Sequence, residues 1–237
     1  MNFIILNNSG NVGKSTLTQK MFSPRIENSA IISIETINSD GTENKKYTAD
    51  DYAKIFNDLL AEGDKNYIID IGASNIENFY IQMEEHEGLT NAFVDYFIIP
   101  VTPVQKQQID SINTVLALQQ NGIENDKIKF VFNLTSKKSP IEEQCSYFFE
   151  KIADLGFNFD GEKSVVYETG FFDTLKDNDI MYEAVEQDTI DHKAELKTVT
   201  SNDEKVALRK AMVYRAAYNS FHKNLDLAFE SLKLEIL

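Results

Sequence analysis

Cysteine is almost absent from this chain. One residue, Cys145, stands among 237, which excludes an intrachain disulfide and a Cys-x-x-Cys metal knuckle. Its neighbours Ile141, Phe148, Phe149 and Ile152 predict a buried structural thiol. Histidine is scarce: His86, His192 and His222 show no metal-ligand spacing, so no zinc site is expected. There are four prolines, and no Pro- or Gly-rich linker, internal repeat or low-complexity segment marks a domain boundary. No apolar stretch approaches the ~18–20 residues that a membrane span needs. The first apolar run leads at once into a polar turn, without the pattern of a signal peptide, and a cytoplasmic protein is expected. No dense Lys/Arg cluster is present. With a formal net charge of −15, the overall field argues against direct, non-specific DNA binding and is compatible with a basic protein partner.

What is present is a folded globule. Hydrophobic residues make up 42% and aromatic residues 11% of the chain, enough for a sizeable core. The length suits one α/β domain over residues 1–237, with a helical extension at about 203–237. The organising stretch is Asn8-Ser9-Gly10-Asn11-Val12-Gly13-Lys14-Ser15-Thr16. It lies between the strand-like run Phe3–Leu6 and the apolar i, i+4 pair Leu17 and Met21, which predicts a helix. Strand, tight turn and helix form the context of a phosphate-binding loop, in which backbone N–H groups converge on an anion. Lys14 then serves the β/γ-phosphates, Ser15 ligates Mg²⁺ and Thr16 approaches the α-phosphate.

The loop has Asn8 where the standard pattern has glycine. Its spacing resembles the deviant loop of the ParA/MinD class of partition and positioning ATPases: Gly10, Gly13, Lys14 and Ser15 match, Ser9 replaces a glycine, and Asn8 replaces the signature lysine. The opening Asn-Asn-Ser-Gly-Asn-Val-Gly-Lys-Ser-Thr looks most like the StbB-type plasmid stability proteins of that class. The resemblance implies a P-loop fold with a mostly parallel sheet flanked by helices, and ATP with Mg²⁺ as cofactors. It also implies a nucleotide-dependent homodimer and a plasmid-encoded DNA-binding partner. The run Ala30–Ile34 ends at Glu35, which the resemblance places near the attacking water or a metal-bound water; Asp40 is the substitute. The run Asn66–Ser74 carries Asp70, a Walker B aspartate that holds Mg²⁺ through water, and a switch segment with Gly72 and Ser74. Asn133, ending the run Ile128–Asn133, takes the position of an adenine-reading asparagine. Asn133-Leu134-Thr135-Ser136 is not the Asn-Lys-x-Asp guanine reader, which favours ATP.

The remaining pattern is α/β. Thr48 to Asp51 has the spacing of a capping box. It precedes a helix with Tyr52, Ile55, Phe56, Leu59 and Leu60 on one face, ended by Gly63, after the polar stretch 38–46. Tyr96–Val101 reads as a doubly buried strand, and Thr102-Pro103 as the cap and first turn of a helix carrying Ile109, Ile112, Val115 and Leu116. Asn121-Gly122 stops that helix. Ser164–Tyr167 predicts a last strand after a helix containing Cys145. The acidic segment 171–196 has no clear assignment. A long helix follows through Leu208, Met212, Tyr214, Tyr218, Phe221, Leu225, Phe229 and Leu232, packing on the sheet or on a partner; Glu230 and Glu235 argue against a MinD-like membrane helix.

Three functions fit: a ParA/MinD-like nucleotide switch in plasmid stability, partition or DNA positioning; a P-loop small-molecule kinase or ATP-dependent synthetase; and a nucleotide-binding scaffold with vestigial hydrolysis. The order of landmarks favours the first. A kinase needs Arg or Lys clamps, and Arg25, Arg209 and Arg215 lie in no recognisable lid. Loss of the signature lysine at Asn8 predicts slow intrinsic hydrolysis and weak nucleotide-driven dimerisation, with Lys20 or Lys45 as the candidate replacements.

Overall fold

The computed structural model describes residues 1–35, 45–61 and 65–235. Asp40, Gly63 and residues 38–44 of the polar stretch lie outside the described residues, as do the side chains of Leu60 and Lys45.

Among the described residues, seven parallel strands form one sheet in the order β3-β2-β4-β1-β5-β6-β7. They are β1 (Asn2–Ile5), β2 (Ser29–Ile34), β3 (Lys45–Tyr47), β4 (Asn66–Ile71), β5 (Tyr96–Val101), β6 (Ile128–Thr135) and β7 (Ser164–Tyr167). Phe3, Ile4 and Ile5 of β1 are fully buried, as are Phe97, Ile98 and Ile99 of β5. Each such side chain stabilises the fold by about 1.5–3 kcal/mol. This is why these runs are continuously apolar and not alternating. The chain leaves β1 toward β2 on one side and passes from β4 across β1 to β5 on the other. The carboxyl end of β1 is therefore the point where strand order reverses, the place an open α/β sheet offers to a ligand.

Helices flank the sheet: α1 (Lys14–Thr16), which continues as a π-wound segment (Leu17–Phe22), α2 (Tyr52–Ala61), α3 (Ile76–Glu85), α4 (Leu89–Phe93) and α5 (Gln105–Gln120), with short α6 (Ile141–Gln144) and α7 (Ser146–Ile152). The wide winding of Leu17–Phe22 is stopped at Pro24 and secured by Arg25, whose Nη1 donates to the carbonyls of Lys20 and Met21 at 2.8 Å each. Ahead of α2 the capping box forms: the Asp51 carboxylate accepts the Thr48 N–H and hydroxyl, both at 3.0 Å. These bonds hold the Asp51 carboxyl below its usual range. Tyr52, Ile55, Phe56 and Leu59 then turn into the core.

Two expectations about α5 need correction. It begins at Gln105 after Val104, not at Thr102-Pro103, because the Thr102 hydroxyl is engaged with the Gln107 side chain and does not cap. Its inner face is Ile112, Val115 and Leu118, whereas Ile109 and Leu116 are partly exposed. Gln108, Ser111 and Thr114 share that burial, a polar stripe that sequence periodicity does not reveal. Asn121 and Gly122, the latter at φ +75°, do end the helix. Cys145 is fully buried, at the junction of α6 and α7 and not within one helix; burial, with Glu142 beside it, pushes its thiol up to about 12.

The contacts divide the chain into two compact units, residues 1–167 with 227–237, and residues 168–226. The first holds the sheet, and within it the end of the long helix α11 (Asn202–Glu230) places Phe229 edge-on to Phe22 while Ser164 Oγ donates to the Ala228 carbonyl at 2.6 Å. In the second, the acidic segment forms three short helices, α8 (Phe171–Asp177), α9 (Tyr182–Glu186) and α10 (His192–Glu195). α8 and α9 gather with α11 around the rings of Phe171, Tyr182, Tyr218 and Phe221.

Candidate functional site

The segment after β1 is shaped residue by residue. Asn7 is fully buried; its amide donates to the Pro100 carbonyl (2.8 Å) and to Ser111 Oγ (2.9 Å), while its oxygen accepts the Ser9 N–H at 2.7 Å. Ser9, standing where a glycine is usual, donates its hydroxyl to the Asp110 carboxylate. Gln107 donates to the Gly10 carbonyl at 3.3 Å. The chain then turns through Asn11 (φ +56°) and Gly13 (φ +86°). Gly13 is required twice over: left-handed backbone disfavours a side chain, and a Cβ there would lie 2.2 Å from Asn133 Nδ2. That Asn133 amide donates to the Val12 carbonyl at 2.9 Å. Asn133, for which the resemblance implies an adenine contact, thus supports the loop from below.

Lys14 opens α1 and folds back across the loop, donating to the Ser9 carbonyl at 2.8 Å and the Asn7 carbonyl at 3.3 Å. It is only 8% exposed. Burial lowers its pKa, and the nearby Asp70 partly offsets that. Ser15 and Thr16 follow on the exposed side of the helix start. The Leu17 N–H returns to the Gly13 carbonyl at 2.9 Å, closing the first helical turn.

Asp70 sits near the carboxyl end of β4, in register with Ile5 of β1 and Ser33 of β2, and is 5% exposed. Burial raises its pKa; the Ser15 hydroxyl and Lys14 act against that rise, and Glu35 adds to it. One carboxylate oxygen, Oδ1, is buried without a partner among the described residues. A buried acceptor left alone is costly and asks for a ligand. Mg²⁺ fits this donor set, because it takes a few hard oxygens and keeps its waters. Glu35 follows β2, fixed by its N–H to the Tyr47 carbonyl at 3.1 Å. Its Cγ lies 3.6 Å from where a Gly72 Cβ would stand, and the Ile34 carbonyl 3.2 Å away. Gly72 is thus pressed against the end of β2, its N–H donating to the Ile34 carbonyl at 2.9 Å.

The structure brings the loop residues Gly10 to Thr16, Asp70, Glu35, Gly72 and Asn133 to one edge of the sheet. Sequence reasoning missed the residues that brace the loop from behind, chiefly Asn7, Tyr80, Asp110, Ser111 and Thr114. Gln107, Asp110, Ser111 and Thr114 stand in the sequence as ordinary polar helix residues, and nothing in their spacing says that they meet the loop.

No protein-family model and no curated protein matches this sequence. Among solved structures, the fold is similar to that of apo McdA from Cyanothece, with a TM-score of 0.55, 12% identity, and 98% of each chain covered. It is also similar to the Cyanothece McdA–ATP complex, at a TM-score of 0.51 and 11% identity, covering 100% of this chain and 97% of that one. MinD of Aquifex aeolicus matches at a TM-score of 0.48 and 13% identity, over 100% of this chain and 98% of that one. At the identity of the McdA matches, what is shared is the fold. It is a parallel sheet flanked by helices, with the loop Gly10–Thr16 following its first strand.

Proposed function

We propose that this protein binds ATP with Mg²⁺ at the loop Gly10–Thr16 and works as a ParA/MinD-like nucleotide switch in plasmid stability, partition or DNA positioning. The observation that carries the reading is the pairing of a lysine strapped across its own loop with a buried aspartate that has the Ser15 hydroxyl acting on its carboxylate and one oxygen, Oδ1, without a partner among the described residues. On this reading Lys14 exchanges its loop carbonyls for phosphate oxygens, which restores the charge that burial opposes. Ser15 and Asp70 hold Mg²⁺, Asp70 through water. Glu35 orients the attacking water, and Gly72 lets the switch backbone approach the terminal phosphate. The proposed setting is the cytoplasm, with a plasmid-encoded DNA-binding partner and a nucleotide-dependent homodimer; among the described residues no helix is long and apolar enough to cross a membrane.

The kinase alternative has less support, because Arg25 and Arg215 are bound to backbone carbonyls and not held out as clamps. The test is calorimetry with ATP, with and without Mg²⁺, on the parent and on Lys14→Ala. Removing a charged, partly desolvated phosphate contact is expected to cost about 2–5 kcal/mol. Unchanged affinity overturns the assignment.

A further inference from the structure

The position that a ParA-like protein gives to its signature lysine is here an internal acceptor. Asn8 Oδ1 faces two hydroxyls, Tyr80 at 3.0 Å and Thr114 at 3.2 Å, and the Asn8 N–H donates to Thr114 Oγ1 at 3.1 Å. A hydroxyl has one proton to give. That of Thr114 has a shorter acceptor in the Asp110 carbonyl, at 2.8 Å. Tyr80 is therefore the donor that Asn8 depends on. Burial holds the phenol above its ordinary pKa, so it stays a protonated donor. A lysine at this position has no acceptor to offer, so the bond is available to an asparagine and not to the residue it replaces.

Tyr80 lies on α3, and α3 starts directly after the segment that runs from Asp70 through Gly72 to Asn75. Ile76 and Phe79 of the same helix are buried, so a shift in that segment is passed on to the helix as a body. One side chain thus links the segment that answers to metal and terminal phosphate with the loop that holds the phosphates. Resting on the nucleotide site assigned above, we propose that Tyr80 is a positioning residue that couples the Asp70–Asn75 segment to the phosphate loop through Asn8. Metal and nucleotide then bind cooperatively.

The experiment measures ATP affinity with Mg²⁺ and with EDTA on the parent, Tyr80→Phe, Asn8→Ala and the double variant. A purely structural bond shifts both affinities together and leaves their ratio alone. Coupling between sites is commonly worth fivefold or more. The Mg²⁺-induced tightening is accordingly expected to fall about fivefold in Tyr80→Phe, similarly in Asn8→Ala, and no further in the double variant. A parental ratio in Tyr80→Phe, or losses that multiply in the double variant, overturns the coupling. If Tyr80→Phe does not fold, Asn8→Ala carries the same readout. A parent that binds no ATP in either condition overturns the nucleotide site and this inference together. A parent that binds ATP beside variants with an undiminished ratio removes the inference alone.

Discussion

Gly13 shows how much of the site is held by single atoms. Its φ of +86° and the 2.2 Å approach of Asn133 Nδ2 to the place of a Cβ act on the same residue. In Gly13→Ala the left-handed backbone costs about 1–2 kcal/mol, and displacing Asn133 from the Val12 carbonyl costs about 1 kcal/mol more. A loss of about 2–3 kcal/mol in urea unfolding is therefore expected. With Asn133→Ala also present the steric part vanishes, so the double variant loses less than the sum of the two single losses. Strict additivity would show that the loop and Asn133 are not in contact. Asn8 shows a different principle at this scale: a side chain of one chemistry placed where the class has another acquires a different set of partners, here two hydroxyls within its own chain.

At the scale of elements, the capping box before α2 is testable through pH. Asp51 is held below its usual pKa by the Thr48 N–H and hydroxyl. A depressed folded-state value gives stability that is present above the ordinary aspartate range and is lost as pH falls through the lower folded value. Asp51→Ala is expected to cost about 1 kcal/mol near neutrality, with the gap to the parent closing in acid. A gap independent of pH would mean that the carboxylate charge has no part in the cap. This element was legible because a capping box is local, as was the loop from Gly10 to Thr16, whose backbone geometry follows from a few adjacent residues. The start of α5 was not legible. Thr102 has the chemistry of a cap, but a side chain three-dimensionally near it, Gln107, takes its hydroxyl. Nor were the braces at Tyr80 and Thr114, which meet Asn8 from 72 and 106 residues away in the chain. Sequence periodicity marks which helix face is inward; it does not say which inward polar group finds a partner.

At the scale of the whole molecule, the engagement of Asn8 within its own chain bears on assembly. A cation reaching across to a partner's phosphates is worth roughly 10³–10⁵ in rate in phosphoryl transfer. Asn8 carries no charge. Slow intrinsic hydrolysis is expected from the isolated protein, with weak ATP-dependent dimerisation, and a partner protein or DNA bound to it as activator. Turnover measured beside light scattering, with and without ATP, checks this. Brisk hydrolysis coupled to a strong ATP-dependent dimer would show that contacts other than residue 8 do the work. The sheet order has a further consequence, in time. The loop near the start of the chain takes its shape from Pro100, Ser111, Thr114 and Asn133. On a ribosome adding about 5–20 residues per second, the last of these is made roughly 6–26 s after the first strand. A nascent chain therefore carries the whole phosphate-loop motif long before it can hold a phosphate, and the site comes into being only when more than half of the protein has been made.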